Sequence, residues 1–352
     1  MGINVLHINS HTTWRGGEQQ VHSIFNGRYK NINTYLYCPE GSALAQKNDS
    51  FKDRVFTYKK RFGLDIPAAF GLKKICREKS IDLVHLHDSH AVNTYLAAVF
   101  FGLKVPCIIH RRVNFPVASG WKYRHKNILK IICISQEVKN TMMAVVPEDK
   151  LTVIYSGICL EKFTNNHTSH PLRQELNILP DKKIVGMVTS LEKEKNVEEF
   201  AVIALQLNST RNDVVYVVIG GGSLLNSHTQ HYPFINFLGF RSNVPELLQD
   251  LDVFVFTSHT EGLGTAVLEA MAAEVPVVCR NFPVAKEMIQ DGKTGSIYTH
   301  AEDAVQKINS LLDDSATHQL FSQNARLFVQ QFDVTLMNEQ LETLYTSFIH
   351  KK

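Results

Sequence analysis

Two glutamates, Glu261 and Glu269, stand with seven residues between them in the segment 258–276, where a strand, a glycine-punctuated loop and a helix are predicted to follow one another. A carboxylate accepts two strong hydrogen bonds, which suits hydroxyl-rich groups such as sugars and riboses. Glu261 is expected in the loop and Glu269 in the first turn of a helix that begins near Thr265, whose dipole and free N–H groups attract a phosphate. Surface charges of a loop and a helix end are the alternative. The segment predicts a site for a phosphorylated, hydroxyl-rich ligand at the carboxyl end of a strand.

A basic run at the end of another predicted strand supplies a second set of candidates. His110 ends that strand and is followed by Arg111 and Arg112. A lone histidine is more often structural, but one at the carboxyl end of a parallel strand is a candidate for substrate contact. Guanidinium groups bind phosphates and carboxylates through paired donors, so the two arginines are predicted to hold an anionic group of an acceptor.

Neither the histidines nor the cysteines predict a metal site. Residues 85–90 include three histidines, but alternating residues of a strand point to opposite faces. His87 and Asp88 are therefore interpreted as ligand-site residues at a strand end. The six cysteines are scattered without a CxxC pair, which is typical of reduced, mostly buried thiols in a cytosolic protein.

The charge of the chain is unevenly divided, although its net value is only +3. Residues 1–160 hold 22 Lys and Arg against 11 Asp and Glu, a balance of +11, and the remainder stands at −8. A basic half suits a phosphate-bearing acceptor or a membrane surface, with solvated lysines as the alternative. Residues 121–130 mix aromatic and basic side chains, which on a helix suits an anionic membrane or simply a solvated face. No nucleic-acid-binding module is recognised, so nucleic acid is not an expected partner.

Short β-branched runs alternate with stretches of helical periodicity, and 352 residues are enough for two α/β domains. This alternation predicts βαβ units and mostly parallel sheets. A polar stretch at residues 165–171 is the expected joint between a first domain, residues 1–162, and a second, residues 172–330. The predicted strands cover residues 5–9, 82–86, 107–110, 131–135 and 151–155, and then 183–189, 214–219, 235–238, 253–256 and 275–279. Helices are predicted at residues 17–26, 67–79, 93–102 and 335–349.

The apolar stretches of the chain argue against a membrane-spanning segment. Residues 1–8 form a short predicted strand and lack the basic start and long apolar run of a signal peptide. The longest largely apolar stretch, residues 91–103, is too short to span a bilayer. Any contact with a membrane is therefore expected to be peripheral.

The segment around the two glutamates resembles the acidic motif of glycosyltransferase family 4, whose GT-B fold has two Rossmann-like domains with parallel sheets facing across a donor cleft. Glu261 and Glu269 are followed by Ala270-Met271-Ala272 and Pro276-Val277-Val278, similar to the motif and next strand of the family. The resemblance runs nearly end to end. It implies that Glu261 contacts hydroxyls of the donor sugar and that Glu269 contacts the nucleotide ribose. It also implies that the amides of Gly262, Leu263, Gly264 and Thr265 lie near the sugar and the diphosphate.

Other motifs fall in the order of the family. Gly16 and Gly17 resemble the glycine loop that faces the donor phosphate and the acceptor, and Gly221 resembles the glycine turn beside the nucleotide. Lys195, after the stretch 186–191, resembles the cation on the donor diphosphate. His110 matches a histidine that lies near donor sugar and acceptor. Residues 332–345 resemble the terminal helix that crosses back, which assigns residues 333–352 to the first domain.

Two positions depart from the family pattern. Ser190 stands where many members place an arginine that pairs with the lysine on the diphosphate. One fewer cation weakens stabilisation of the leaving diphosphate unless other groups substitute. The usual glycine pair is missing near residues 281–287, although Glu287 is kept.

The resemblance implies transfer of a sugar from a nucleotide-sugar donor to an acceptor hydroxyl with retention at the anomeric carbon. It implies no metal and no cofactor, because the nucleotide sugar is a co-substrate. A glycan or lipid-linked glycan of cell-surface polysaccharide or lipopolysaccharide is the expected acceptor, in the cytoplasm or at the inner face of the membrane. Two rival hypotheses remain: a non-hydrolysing sugar-nucleotide epimerase of the same fold, and a non-catalytic sugar-nucleotide-binding partner.

Overall fold

The computed structural model describes residues 2–61, 65–117, 119–163 and 169–349, which divide into two compact units. The first unit comprises Met1–Gly157 and Val334–Lys352, and the second comprises Ile158–Asp333. Residues 165–168 of the expected joint lie outside the described residues. His170 and Pro171 belong to the second unit, where His170 Nδ1 donates to Asp250 Oδ1 at 2.7 Å.

The first unit is built on a seven-stranded parallel sheet. Its strands, in chain order, are β1 Ile3–Ile8, β2 Ile32–Pro39, β3 Val55–Tyr58, β4 Leu83–Leu86, β5 Cys107–Arg111, β6 Ile128–Cys133 and β7 Leu151–Val153. The spatial order β3-β2-β1-β4-β5-β6-β7 reverses between β1 and β4. The helices of this unit that precede β7 are α1 Gly16–Phe25, α2 Ala43–Lys47, α3 Ile66–Glu78, α4 Ser89–Phe100 and α5 Gln136–Met143. Central strands such as β4 are buried throughout, as expected where helices cover both faces of a parallel sheet.

The second unit is built on a six-stranded parallel sheet of order β10-β9-β8-β11-β12-β13, which reverses between β8 and β11. Its strands are β8 Lys183–Val188, β9 Val214–Ile219, β10 Ile235–Phe237, β11 Val253–Phe256, β12 Val277–Arg280 and β13 Ser296–Tyr298. Its helices are α6 Pro171–Glu175, α7 Val197–Asn208, α8 Leu225–His231, α9 Val244–Leu248, α10 Thr265–Ala272, α11 Ala285–Met288, α12 Ala301–Asp313 and α13 Ser315–Phe328.

The last helix, α14 Val334–Ile349, returns to the first unit. Its residues Met337, Leu341 and Tyr345 are buried in one apolar cluster with side chains of β1, β4, β5 and β6. The helical spacing of these residues explains why a helix forms there, and burial of its apolar face fixes it on the sheet.

The prediction of two Rossmann-like parallel α/β domains is confirmed, and the strands predicted from the sequence exist within a few residues of their expected bounds. Three further strands, β2, β3 and β13, were not predicted. The pattern of β3 is weak because none of its four residues is fully buried, and β13 has only three residues. Residues 121–130, whose composition would suit a membrane surface on a helix, form no such helix: a short 3-10 helix, Trp121–Arg124, is followed by turns and by β6.

Candidate functional site

The switch point of the second sheet brings together the segments that follow β8 and β11. After β8, a 3-10 turn at Lys193–Lys195 leads into α7. After β11, the loop that contains Glu261 leads into α10. Thr257 Oγ1 donates to the carbonyl of Lys195 at 2.8 Å, and the amide of His259 donates to the carbonyl of Glu194 at 3.2 Å. The two segments are therefore held together by backbone and side-chain hydrogen bonds at the sheet edge where parallel sheets bind ligands.

An ion pair joins two of the predicted catalytic residues at this edge. Lys195 Nζ donates to Glu261 Oε1 at 2.6 Å, and the two side chains are 19% and 16% exposed. Charge-assisted hydrogen bonds of this length are stronger than neutral ones, especially where water is partly excluded. An ammonium has three donors, so Lys195 can hold Glu261 and still donate to an oxygen of a ligand.

Two glycines of the turn after β9, one on each side of Gly221, shape the same edge near Ser190. Gly220 has φ +143°, and a Cβ there would overlap the carbonyl oxygen of Thr189. A Cβ on Gly222 would lie 2.5 Å from the carbonyl oxygen of Leu191. The turn after β9 therefore packs directly on the loop after β8. Ser190 lies in that loop, half-buried, with its carbonyl accepting from the Glu192 amide at 2.9 Å.

The start of α10 has the geometry that the sequence predicts for an anion site. Gly264, which precedes the helix, has φ +88°, a left-handed conformation that favours glycine. Gly262 and Leu263 are buried, and Thr265 is the first helical residue. The first amides of an α-helix have no acceptor four residues earlier, so those of Thr265 and Ala266 can face a ligand, whereas the Val267 amide donates to the Gly264 carbonyl at 3.0 Å.

Glu269 lies one turn later than predicted. It is the fifth residue of α10, in the second turn, because the helix begins at Thr265. Burial raises the pKa of its carboxyl to about 7, and Lys162 opposes the shift. Hydroxyl groups that donate to this carboxyl would favour its charged form. The carboxyl therefore suits a ribose, as the resemblance implies, although its role stays a prediction.

The switch point of the first sheet is occupied by four histidines. His7 on β1 is in register with His85 on β4, and His87 follows β4, while His110 lies on the neighbouring β5. All four side chains are buried. The rings lie close together: the centroids of His85 and His87 are 4.1 Å apart, and those of His85 and His110 are parallel at 5.4 Å.

The guanidinium of Arg112 lies among these rings. Its Nη2 is 3.0 Å from His87 Nδ1 and 3.3 Å from His110 Nδ1. Burial lowers the pKa of Arg112 to about 10, whereas nearby Glu18 opposes the shift. Arg111 is half-buried, and its Nη2 donates to the carbonyl of Phe115 at 2.6 Å. Both arginines have partners within the unit, and acceptor binding by them stays a prediction.

Burial and the nearby Arg112 keep the histidines neutral. Burial lowers the pKa of His7 to about 3, and it lowers those of His85, His87 and His110 well below the usual value. Nitrogens of His7, His85 and His87 lie within 4.8 Å of one another, a spacing that can hold a metal ion. The absence of a metal stays a prediction. The prediction that strand alternation separates these histidines is wrong, because His85 and His87, two residues apart, both lie beside His7.

Gly16 and Gly17 begin α1 beside this cluster. Beyond its chain neighbours and its own helix backbone, a Cβ built on Gly16 would meet no atom of the described residues within 4 Å, and a Cβ on Gly17 would lie 4.0 Å from Arg112 Cδ. Glu18 is not among the site residues predicted from the sequence; its Oε2 accepts from the Arg15 amide at 3.2 Å, and its Oε1 accepts from Asn9 Nδ2 at 3.3 Å. A glutamate at the third position of a helix is typical of a capping box, so this contact could have been predicted from the sequence. Asp88, predicted as a ligand-site residue, caps α4.

Two other features lie away from these edges. A surface cavity of about 740 Å³ is lined by residues 208–213, Asn309 and Asp313, at the end of α7 and the amino end of β9. Ligands of parallel sheets bind at carboxyl ends, so this cavity is not the candidate site. Among the described residues, no helix is long and apolar enough to cross a membrane.

Two family models match successive parts of the chain. The model "Glycosyltransferase Family 4" matches residues 14–162, and the model "Glycosyl transferases group 1" matches residues 169–328. Together they cover most of both units.

Curated relatives and solved structures agree with these matches. The chain is 26% identical over 316 residues, 82% of this chain and 81% of the relative, to the UDP-Gal:alpha-D-GlcNAc-diphosphoundecaprenol alpha-1,3-galactosyltransferase of Escherichia coli. It is 25% identical to the capsular polysaccharide biosynthesis glycosyltransferase CapM of Staphylococcus aureus, over 92% of each chain. The fold is similar to that of Anabaena HepE in complex with UDP-glucose, with TM-score 0.85, 20% identity, and coverage of 98% of this chain and 100% of that one.

Proposed function

This chain belongs to glycosyltransferase family 4 and is a glycosyltransferase, and on that premise we propose that it transfers a sugar from a uridine diphosphate sugar to a hydroxyl of a glycan acceptor, with retention. A relative is named for UDP-Gal, and a structure with a similar fold contains UDP-glucose. Cell-surface polysaccharide or lipopolysaccharide synthesis is the proposed setting, because the relatives include a capsular polysaccharide enzyme and an enzyme acting on a diphosphoundecaprenol acceptor.

The observation that carries the proposal is the Lys195–Glu261 ion pair beside the start of α10. A nucleotide diphosphate sugar needs cations and amides for its phosphates and carboxylates for its hydroxyls. The second unit offers Lys195 and the amides at Gly264 and Thr265 for the diphosphate. It offers Glu261 for the sugar and Glu269 for the ribose. Lys195 and Glu261 meet at the edge of one sheet, and the proposal is that a single extended ligand contacts this pair, the start of α10 and Glu269.

The proposed mechanism needs no separate nucleophile. Lys195 and the first amides of α10 stabilise negative charge on the leaving diphosphate as the bond to the anomeric carbon breaks. The acceptor hydroxyl attacks from the same face, and an oxygen of the leaving diphosphate takes its proton. His110 and the two arginines after it are assigned to the sugar and acceptor. The proposal includes neither a metal nor a cofactor, because the lysine and the amides supply the positive charge.

A surface of the first unit, consisting of Phe70, Lys73, Phe100, Phe101 and Lys104, is the proposed contact with an anionic membrane. Phe100 is 84% exposed and Phe70 is 50% exposed. The rings of Phe70 and Phe101 stack at 4.6 Å, and Lys73 Nζ donates to the Phe101 carbonyl at 2.7 Å. Exposed aromatic rings beside lysines match the apolar boundary and anionic headgroups of a bilayer. The enzyme would then act in the cytoplasm at the inner face of the membrane.

Binding to vesicles tests this membrane contact. The full chain should float with vesicles that contain anionic phospholipid and much less with zwitterionic vesicles. Phe100→Ser together with Lys73→Gln should reduce flotation at least fivefold. Trp121→Ser, which removes an exposed ring from the stretch first considered for this role, serves as the control and should float as the wild type does. Equal flotation of the double variant and the wild type would contradict the proposed surface.

The proposed reaction is tested by incubating the protein with a panel of nucleotide sugars and acceptor glycans. We expect one UDP-sugar to give a glycosylated product with the anomeric configuration of the donor. Interconversion of the donor sugar without an acceptor would instead identify an epimerase. Binding without turnover, with turnover restored by Ser190→Arg, would identify a non-catalytic partner. A thermal-shift panel identifies the base first, since a ligand at 100 times its Kd stabilises by about 2.7 kcal/mol.

A further inference from the structure

One hydrogen-bond donor, the guanidinium of Arg112, faces two imidazole nitrogens in the first unit. A guanidinium has N–H groups and no acceptor atom. Its Nη2 carries two hydrogens and lies 3.0 Å from His87 Nδ1 and 3.3 Å from His110 Nδ1. Neither Nδ1 can bear a hydrogen without opposing this donor. Both nitrogens must therefore accept, and the proton of each neutral ring lies on Nε2.

The constraint passes from His87 to His7. His87 Nε2 lies 3.0 Å from His7 Nδ1. Because His87 Nε2 bears the proton, it donates, and His7 Nδ1 accepts. The proton of neutral His7 must then also lie on Nε2. A single arginine thus determines the tautomers of three histidines, two of them on β1 and β5 and one directly after β4.

The same hydrogen-bond directions decide whether His7, His85 and His87, whose spacing could hold a metal ion, have lone pairs free to bind one. A metal ion binds a lone pair on an imidazole nitrogen. The lone pairs of His7 and His87 lie on Nδ1 and already accept hydrogen bonds, and their Nε2 atoms bear protons. The buried charge of Arg112 beside the rings also opposes a second cation. The cluster therefore presents N–H donors and suits an oxygen atom better than a metal ion.

His110 supplies the donor at the end of this network. Its Nε2 is buried and has no hydrogen-bond partner among the described residues. His85 packs parallel to its ring at a centroid distance of 5.4 Å, and His85 Nδ1 is in turn 2.8 Å from the hydroxyl of Tyr345. The ring of His110 is thereby fixed in plane by stacking and in tautomer by Arg112.

We propose that Arg112 and the stacked ring of His85 are positioning residues that hold His110 as its Nε2–H tautomer, so that His110 donates a hydrogen bond to a substrate oxygen and does not act as a base. The contact with substrate rests on the proposed glycosyl transfer. The tautomers do not, because they are properties of the unliganded protein. This assignment changes the role of Arg112 from binding an acceptor anion to orienting a catalytic histidine.

The test is nitrogen NMR of the full-length protein labelled with ¹⁵N-histidine, with the His110 signals assigned by their loss in His110→Gln. In the wild type we expect His7, His87 and His110 to show Nε2–H tautomers at neutral pH. Arg112→Met removes both donors and should shift His110 to a mixture of tautomers while kcat falls ten- to a hundredfold. Arg112→Lys keeps N–H donors on a side chain of similar length and should restore the wild-type tautomer and much of kcat.

Arg54→Met is the matched control, because Arg54 packs on the rings of Phe25 and Phe51 in the same unit and has no contact with the histidines. It should leave all three tautomers unchanged. An Nδ1–H tautomer of His110 in the wild type would overturn the proposal, as would a tautomer unaffected by Arg112→Met. If Arg112→Met does not fold, the same signals in Arg112→Lys decide, since a changed tautomer there contradicts the donor argument. Wild-type tautomers as expected without any sugar transfer would refute the proposed function and leave the positioning network intact.

Discussion

The two units carry candidate sites at equivalent points of their sheets but fill them with different chemistry. In the first unit the strand order reverses between β1 and β4, and four neutral histidines and one arginine lie there. In the second it reverses between β8 and β11, and an ion pair, glycine turns and a helix start lie there. The topology fixes where a ligand can bind, and the side chains decide which ligand it is.

The difference in charge suggests a division of labour. The second site combines a partly exposed lysine with backbone amides. Both can stabilise the negative charge of a diphosphate, in the bound donor and in the leaving group. The first site combines imidazoles that burial keeps uncharged, which suits hydroxyl groups. Substitutions that remove the positive charge in the second unit should therefore affect donor binding. Substitutions that remove the neutral imidazoles in the first unit should affect the orientation of substrate hydroxyls.

The largest effect is expected from Lys195→Met. Removing a group that stabilises charge in the transition state typically lowers kcat about 100- to 1,000-fold. It also leaves the Glu261 carboxylate without its partner at 2.6 Å. Steady-state transfer rates measure the effect. Lys183→Met, which removes a lysine paired with Asp252 in the same unit, is the control and should stay within about twofold of the wild type. Similar rates for both variants would contradict the assigned role of Lys195.

A pH dependence of nucleotide affinity should follow from Glu269. Burial raises its pKa to about 7, so part of the population is protonated near neutrality. Ribose hydroxyls that donate to the carboxylate favour the charged form, and binding should release a proton below pH 7. The affinity for UDP should therefore fall about tenfold between pH 8 and pH 6 in the wild type. Calorimetric titration should show a much flatter profile for Glu269→Gln, and an equal slope would remove Glu269 from the ribose site.

The same residue should affect stability without any ligand. The pKa of the Glu269 carboxyl in the folded protein lies above the ordinary value of 4.5. Its contribution to the free energy of unfolding is therefore complete below pH 4.5 and is lost as the pH rises through 7. Because the residue as a whole is only half-buried, we expect a loss of about 1–2 kcal/mol over this interval. Denaturant unfolding at pH 5 and pH 8 should show a smaller difference for Glu269→Gln than for the wild type. If the free energy of unfolding differed as much between pH 5 and pH 8 in Glu269→Gln as in the wild type, the raised pKa would not belong to Glu269.

The smallest effect is expected from Ser190→Arg. The loop of Ser190 packs on the glycine turn after β9, and an arginine there adds a cation near the proposed diphosphate. We expect the affinity for UDP to rise about threefold to tenfold at low salt and the gain to shrink as salt screens the charge. An affinity unchanged at every salt concentration would mean that residue 190 does not face the diphosphate.

The sequence was most informative where one segment contains both the residues and the elements that position them. Glu261, Gly264 and Thr265 share one strand–loop–helix segment, so their proximity could be inferred from the chain alone. The pairing of Lys195 with Glu261 joins positions 66 residues apart and depends on β8 and β11 being neighbours. The family resemblance assigns both residues to the donor, whereas the sequence pattern alone could not show that these two strands are neighbours.

The histidine cluster shows the limit of the sequence most clearly. His7 precedes His87 by 80 residues, and Tyr345 follows His85 by 260 residues. No local pattern connects them, because the strand order and the return of α14 decide which side chains meet. The sequence predicts His110 and Arg112 as candidate site residues, but it could not show that the arginine faces the histidine rather than solvent.

The central claim is that the switch point of the second unit binds the nucleotide sugar donor. Calorimetric titration of UDP into the full-length wild type, Lys195→Met and Arg112→Met tests it most directly. We expect Lys195→Met to weaken binding at least tenfold and Arg112→Met to bind UDP within about twofold of the wild type. Wild-type affinity in Lys195→Met, or a loss confined to Arg112→Met, would contradict the account.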